Sequence, residues 1–405
     1  MRCTLVHDID LLLTMDPEAG EGRLGALRDA AIRFEGDRVA WIGPTAAAER
    51  GADEVVSGRG CVALPGLVDC HTHAVWAGSR ADEFERRLAG EDYTAILKAG
   101  GGILSTVRAT RAASEDELVA LGAARLSRLA ARGVTAVEVK SGYGLTPQGE
   151  RKLLVAARRA AEAAGLRLSR TFLGAHTVPA EWRHDRAAYV AQVIEEQLPL
   201  CAPEADAIDV YVDDGAFTVA EGEAILRAGQ RHGLAARIHA EQVAATGAAR
   251  MAAGLGARSA DHLERIDPAG IDALAAAGTV GVLLPGAMTY LRDPAPPVGA
   301  LREAGVRLAV ATDLNPGTSP VADPWVCATL AAVSMRLPVE DVLLGLTRHG
   351  AAAIGRDDLG VVQVGGPADL ALVAPPPGEP ASAAALVQTV GLTAVRGVWV
   401  GGARR

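Results

Sequence analysis

The chain has 405 residues, 49% of them hydrophobic, only 3% aromatic and 22% charged, with a formal net charge of −9. That length and composition support a large core of Ala, Val and Leu and exclude a disordered chain. The negative charge and the lack of any long basic run argue against nucleic-acid and membrane-surface partners, and no apolar run approaches the roughly 18 to 20 residues that cross a bilayer.

The first residues, MRCTLVHDID, lack a basic region followed by an apolar segment, so a soluble cytoplasmic protein with a small-molecule substrate is expected. Five cysteines (Cys3, Cys61, Cys70, Cys201, Cys327) are odd in number and free of CxxC pairs, which suits reduced thiols better than a disulfide framework.

In chain order, the first sixty or so residues read as short β segments such as CTLVHDIDLLLTM and AAIRFEGDRVAWIGP, with EGDR as a hairpin turn. PADLALVAP and VRGVWVGGARR near the other end have the same character. The economical assignment is one small β-rich composite domain from residues 1–61 and 351–405, with a large domain of residues 62–350 inserted between its halves.

Across residues 62–350 apolar strands alternate with Ala-rich helical stretches, the pattern of βα units around a parallel sheet. The candidate strands are LVDCHTH (67–73), VTAVEVKSG (134–142), LSRTFLGAH (168–176), AIDVYVDD (207–214), ARIHAEQ (236–242), SADHLE (259–264), TVGVLLP (279–285) and RLAVATD (307–313). Eight such strands close an α/β fold of the (β/α)8, TIM-like barrel type. Polar residues cluster at their C-terminal ends: His71 and His73, Lys140 with Tyr143, His176, Asp213 with Asp214, His239, His262 with Glu264, and Asp313. Barrel active sites are built on that face.

His71 and His73, two apart where the first strand ends, point the same way because side chains alternate along a strand. Cys70, their neighbour, is then expected to face away and pack. Barrel closure brings Asp313 on strand eight beside that pair, and His239 on strand five faces them across the mouth. Three imidazoles and one carboxylate suit Zn²⁺, Fe²⁺ or Mn²⁺ better than Ca²⁺ or Mg²⁺. An open position for water gives the combination that amide hydrolysis needs. His262 is the candidate general base, the alternative being a hydrogen bond that orients a ligand, and Asp313 is also a candidate to ferry a proton to the leaving nitrogen.

The set HTH, a lone His on strand five, His on strand six and ATD on strand eight resembles the amidohydrolase superfamily in its mononuclear form. HTHAVWAGSRADEFERRLAG, AGGGILSTVRATR, EVKSGYGL, TFLGAHTVP, DVYVDDGAF, IHAEQ, ADHLE and ATDLNPGTSP together resemble the imidazolonepropionase family within it, from about Leu64 to Pro320. Trp76 stands where that family is expected to carry Phe. The resemblance implies one divalent ion, Zn or Fe, and hydrolysis of the cyclic amide of 4-imidazolone-5-propanoate to N-formimino-L-glutamate in histidine degradation. Other readings are another mononuclear amidohydrolase, such as a heterocycle deaminase or different cyclic amidase, and a non-catalytic barrel that keeps the metal as a clip.

For a substrate with a carboxylate tail and a five-membered ring, Arg80 in the first loop is the expected carboxylate partner, with Arg108 as a weaker second anion contact. Tyr143, flanked by Gly142 and Gly144, is expected to hydrogen-bond the ligand, and His176 to polarise or bond the ring. By similarity Gln242 contacts substrate, while Glu241 bonds a ligand or ring nitrogen as a further catalytic candidate. Asn315, Gly317 and Thr318 open a loop before a helical segment and offer an amide, a free backbone N–H and a hydroxyl to a carboxylate, the alternative being an ordinary helix cap. Gly100 to Gly102 read as a substrate-covering loop. The partners expected are a small anionic substrate and, as a homodimer, a second copy of the chain.

Overall fold

The computed structural model describes residues 2–91 and 101–405. Its strands are β1 (Cys3–Leu13), β2 (Ala26–Glu35), β3 (Arg38–Pro44), β4 (Glu54–Ser57), β5 (Val62–Pro65), β6 (Leu67–Asp69), β7 (Val134–Lys140), β8 (Arg167–Ala175), β9 (Ala207–Val212), β10 (Ala235–Ala240), β11 (Ser259–His262), β12 (Val280–Leu283), β13 (Leu308–Val310), β14 (Leu370–Ala374), β15 (Ala394–Val400) and β16 (Ala403–Arg404). They form two sheets.

Strands β6 to β13 pair in parallel in chain order, each with the next. The seam between last and first is closed at the C-terminal rim, where Asp313 N donates to His71 O at 3.0 Å, His73 N donates to Leu314 O at 3.0 Å, and Thr72 bridges Leu314. The expected neighbourhood of strands one and eight is therefore present.

Helices such as Glu115–Ala131 and Pro147–Ala164 lie between the strands, and their starts follow their sequences. Ser114 accepts from Glu117 N, and Thr146 accepts from Gly149 N ahead of Pro147. Ala and Leu on their inner faces, among them Leu118, Leu126, Leu153 and Ala157, are buried against the barrel.

The second sheet joins both ends of the chain in the order β16-β15-β14-β5-β1-β2-β3, with β4 on β1. The β2–β3 hairpin turns at the expected Gly36–Asp37. Its first half extends past residue 61, because Val62–Pro65 pairs with both β14 and β1 before the chain crosses at Gly66 into the barrel. Past residue 350 the helix Arg348–Ala353 still packs on β6, β12 and β13. Arg167 at the start of β8 ties the two sheets, its Nε and Nη2 donating to the Asp369 carboxylate at 2.6 and 3.0 Å.

Candidate metal centre and active site

The barrel strands end sooner than their apolar runs suggest. β6 stops at Asp69, β11 at His262 and β13 at Val310. Beyond them the backbone turns through positive φ at Glu241 (60°), His262 (81°), Leu263 (73°) and Asp313 (50°), a conformation that costs side-chain-bearing residues of order 1–3 kcal/mol each. Four of the ten non-glycine residues at positive φ among the described residues thus lie on this rim.

Five of the expected residues meet there. The imidazole of His71 lies 5.4 Å from His73, 4.6 Å from His239 and 6.0 Å from His262, ring centre to ring centre. Asp313 Oδ1 stands 3.4 Å from His71 Nε2 and 3.6 Å from His73 Nε2. Donor atoms of His71, His73 and Asp313 lie within 4.8 Å of one another, as do those of His71, His239 and His262.

Two imidazoles are oriented from below. His71 Nδ1 donates to Asp261 Oδ2 at 2.6 Å and His239 Nδ1 donates to Asp209 Oδ1 at 3.0 Å, so each ring carries its proton on Nδ1. Their Nε2 atoms are buried and unpartnered. Burial holds His71 and His73 well below the usual histidine range, and neutral imidazole is the ligating form. Hydrogen-bonded carboxylates behind the rings are the usual support of a metal-ligating histidine.

Beneath these aspartates sits Lys140, only 1% exposed, its Nζ 2.8 Å from Asp209, 2.9 Å from Glu138 and 3.5 Å from Asp261. Burial acts to lower its pKa, but the three carboxylates outweigh it and the ammonium is raised above its ordinary value. Arg237 Nη1 adds a second cation on Glu138 at 2.9 Å. Two cations thus face the three carboxylates of Glu138, Asp209 and Asp261, and Asp313 adds a further carboxylate beside the Nε2 atoms, where a divalent cation would be favoured. Burial pushes Asp313 up to about 6, opposed by His262 and His239. The donor set fits a divalent metal.

His262, 4% exposed, has Glu264 Oε2 3.8 Å from its Nδ1. Burial acts to lower it, yet Glu264, then Asp313 and Asp261, hold it above its ordinary value.

A wall of ring-bearing and amide side chains flanks the histidine cluster. His176 stacks on His73, ring centres 5.0 Å apart at 10°, and its Nδ1 donates to Gly142 O at 3.0 Å. Burial, then His239, push it down to about 3. Tyr143 lies 5.6 Å from His176 and 5.8 Å from His73. Gln242 Oε1 accepts from the Tyr211 hydroxyl at 3.1 Å, and the Tyr211 ring lies 5.9 Å from His239.

Opposite, Arg80 donates from Nε to Glu83 Oε2 at 2.8 Å and lies so close over Gly317 that a Cβ there would collide with the guanidinium. Both Arg80 and Asp313 act electrostatically on the Tyr143 phenol.

Some expectations need correction. The Glu241 carboxylate accepts from Gly247 N at 2.9 Å and, among the described residues, bonds none of the imidazoles: its positive φ turns it into its own loop. The backbone N–H groups of Gly317 and Thr318 are not free, since both donate to Asn315 Oδ1 at 2.9 and 2.8 Å, and Asn315 Nδ2 donates to Thr318 Oγ1 and Asp313 O. Nor does a helix start there, because the next one begins at Pro324, capped by Asp323. The polar groups of this loop hold its own shape, and its backbone presents Gly317 to Arg80.

Asp213 accepts from the N–H groups of Gln242, Val243 and Ala244, so it anchors a loop, and Asp214 is exposed. Gly100 lies outside the described residues, whereas Gly102 N donates to Glu83 Oε1 at 3.0 Å. Arg108 is exposed on the helix Ile103–Ala112. Cys70 is buried among apolar neighbours including Val68 and Ala136, as expected of packing. Asp209, Asp261, Glu138 and Tyr211 were not singled out by the motifs; a charged residue inside an apolar run, as in AIDVYV and VTAVEVK, was the available signal.

Residues 62–404 match the amidohydrolase family. An imidazolonepropionase of a Polaromonas species is 50% identical over 350 residues, covering 85% of this chain and 82% of the relative. The chain belongs to the amidohydrolase family, in its imidazolonepropionase branch. Another relative, the imidazolonepropionase of Ectopseudomonas mendocina, is 48% identical over 89% of this chain and 90% of its own. In three dimensions the chain superposes on an adenosine deaminase from Xanthomonas campestris with bound zinc (TM-score 0.72, 20% identity, 99% of this chain and 92% of that one), a likeness of fold. As a family member it is a metal-dependent hydrolase acting on a C–N bond. Among the described residues no helix is long and apolar enough to cross a membrane.

Substituting Lys140→Met leaves Asp209 and Asp261 without their shared cation. We expect divalent-metal affinity to fall about 10- to 100-fold, measured by competition with a chelator, and an unchanged affinity would contradict the orienting role of this cluster.

Proposed function

We propose that the chain opens the ring of 4-imidazolone-5-propanoate by hydrolysing its cyclic amide, giving N-formimino-L-glutamate in histidine degradation. The observation that carries this reading is the pair of buried, unpartnered Nε2 atoms on His71 and His239, set in the mouth of the barrel beside Arg80 and Tyr143. Near 50% identity to imidazolonepropionases over most of the chain supports the substrate. His71, His73, His239 and Asp313 would hold the ion, Zn²⁺ or Fe²⁺. When bound, a divalent cation supplies Lewis-acid activation of a water and of the ring carbonyl.

The remaining work falls to the side chains. His262 accepts the proton of the attacking water, its basicity supported by Glu264. As the amide C–N bond breaks, the proton that His262 took from the water passes by way of Asp313 to the departing nitrogen. Arg80 pairs with the propanoate carboxylate at the Gly317 side, and Tyr143 donates its phenol proton to the ligand. His176, its Nδ1–H occupied by Gly142 O, offers Nε2 as an acceptor to a ring N–H. Gln242, steadied by Tyr211 beside His176, contacts the ring from the same wall, and Asn315 and Thr318 shape the loop that carries Gly317. A homodimer and a cytoplasmic location belong to the same proposal.

The test is direct. Metal-loaded protein is expected to convert 4-imidazolone-5-propanoate to N-formimino-L-glutamate, identified by mass spectrometry. A chelator should abolish turnover without changing the circular dichroism spectrum, and turnover that survives complete metal removal would sink the proposal. Arg80→Met is expected to raise KM about 10- to 150-fold, the loss of one charge-assisted contact, with metal content unchanged. An unaltered KM would place the carboxylate elsewhere.

A further inference from the structure

We propose that Glu150 is a positioning residue for substrate recognition, whose carboxylate fixes the turn from Ser141 to Leu145 and thereby aims both Tyr143 and His176. The inference rests on the reading above for the identity of the substrate and adds a residue which that reading does not use.

Glu150 lies in the first turns of the helix Pro147–Ala164 and is fully buried. Its Oε2 accepts from Gly142 N at 2.7 Å, and its Oε1 accepts from Gly144 N at 2.8 Å and Leu145 N at 2.6 Å. Ser141, whose hydroxyl also favours the charged form of Glu150, accepts at Oγ from Leu173 N on β8 at 2.9 Å. A buried carboxylate is costly unless hydrogen-bonded, and here every donor given to it comes from this one turn. The helix start does not need it, because Thr146 already caps Gly149 N at 3.1 Å.

The turn it holds is strained and carries two walls of the pocket. Its backbone passes through positive φ at Gly142 (101°) and at Leu145 (52°), the latter unfavourable for a side-chain-bearing residue. A Cβ on Gly142 would lie 2.7 Å from His176 Nδ1, the atom that instead donates to Gly142 O. Tyr143 stands between the anchored N–H groups of Gly142 and Gly144. From the other side Arg111 donates from Nε to Gly144 O at 2.6 Å and from Nη2 to Leu145 O at 3.3 Å. One carboxylate therefore sets the backbone on which a phenol and an imidazole both depend, while none of its bonds reaches a proposed metal ligand.

Glu150→Gln puts an amide NH₂ against N–H donors and should release the turn. In the metal-loaded enzyme KM is expected to rise about tenfold while kcat changes less than about threefold, and metal content should stay constant. Because part of the effect runs through Tyr143, the same substitution in a Tyr143→Phe background should raise KM by a smaller factor than in the unaltered enzyme, the rest passing through His176. With 3-fluorotyrosine at the five tyrosines, the resonance lost in Tyr143→Phe should shift or broaden in Glu150→Gln while that of Tyr290, which packs on Phe84, stays put. An unchanged KM, effects that multiply in full, or an unmoved Tyr143 resonance would each overturn the proposal. If Glu150→Gln does not fold, Arg111→Met should move KM and the same resonance in the same direction, and no change in either would overturn it. A protein that leaves 4-imidazolone-5-propanoate intact defeats the functional reading, and the fluorine spectrum then still decides whether Glu150 places Tyr143.

Discussion

The ammonium of Lys140, enclosed by Glu138, Asp209 and Asp261 on the floor of the barrel, is the interaction on which the catalytic face depends. Each aspartate turns one oxygen to a histidine Nδ1 and shares its charge with Lys140, so the rings of His71 and His239 are fixed in tautomer and direction at once. Buried charges carry desolvation penalties of several kcal/mol each, which the barrel sustains only because every member of the cluster has partners. The Asp313 carboxylate beside the Nε2 atoms then favours a divalent cation above the floor.

Above that floor the strands stop early and the chain turns sharply. His262 and Asp313 adopt positive φ just where their side chains join the histidine cluster, and Leu263, also at positive φ, turns into the apolar core. Below these turns β6 to β13 pair in parallel, each with the next, over an apolar core. The substrate wall follows the same plan: Asn315 and Glu150 each collect backbone N–H groups, and the turns they shape present Gly317 to Arg80 and Tyr143 to the pocket. Rigid support is thus built from carboxyl and amide groups whose hydrogen bonds hold the backbone of these turns.

Much of this was legible in the sequence. Alternating apolar and Ala-rich runs predict the eight barrel strands, and the β-rich termini predict the composite sheet. His71, His73, His239, His262 and Asp313 are legible because they end apolar runs. What was missed depends on long-range closure. Asp209 and Asp261 lie within short strands where nothing local distinguishes a ligand-orienting carboxylate from Asp213, which serves only a loop. Their pairing through Lys140 spans β7, β9 and β11, and only the closed barrel brings these together. The positive φ that turns Glu241 aside, and the closed hydrogen bonding of Asn315, are backbone facts that residue type does not announce.

The most direct measurement of the central claim is anomalous diffraction at the metal absorption edge from crystals grown with zinc or iron. The account predicts one strong peak in contact with Nε2 of His71 and Nε2 of His239, with both Nδ1 atoms still on Asp261 and Asp209. No peak at that point, or either imidazole turned so that its Nδ1 faces the barrel mouth, would contradict it.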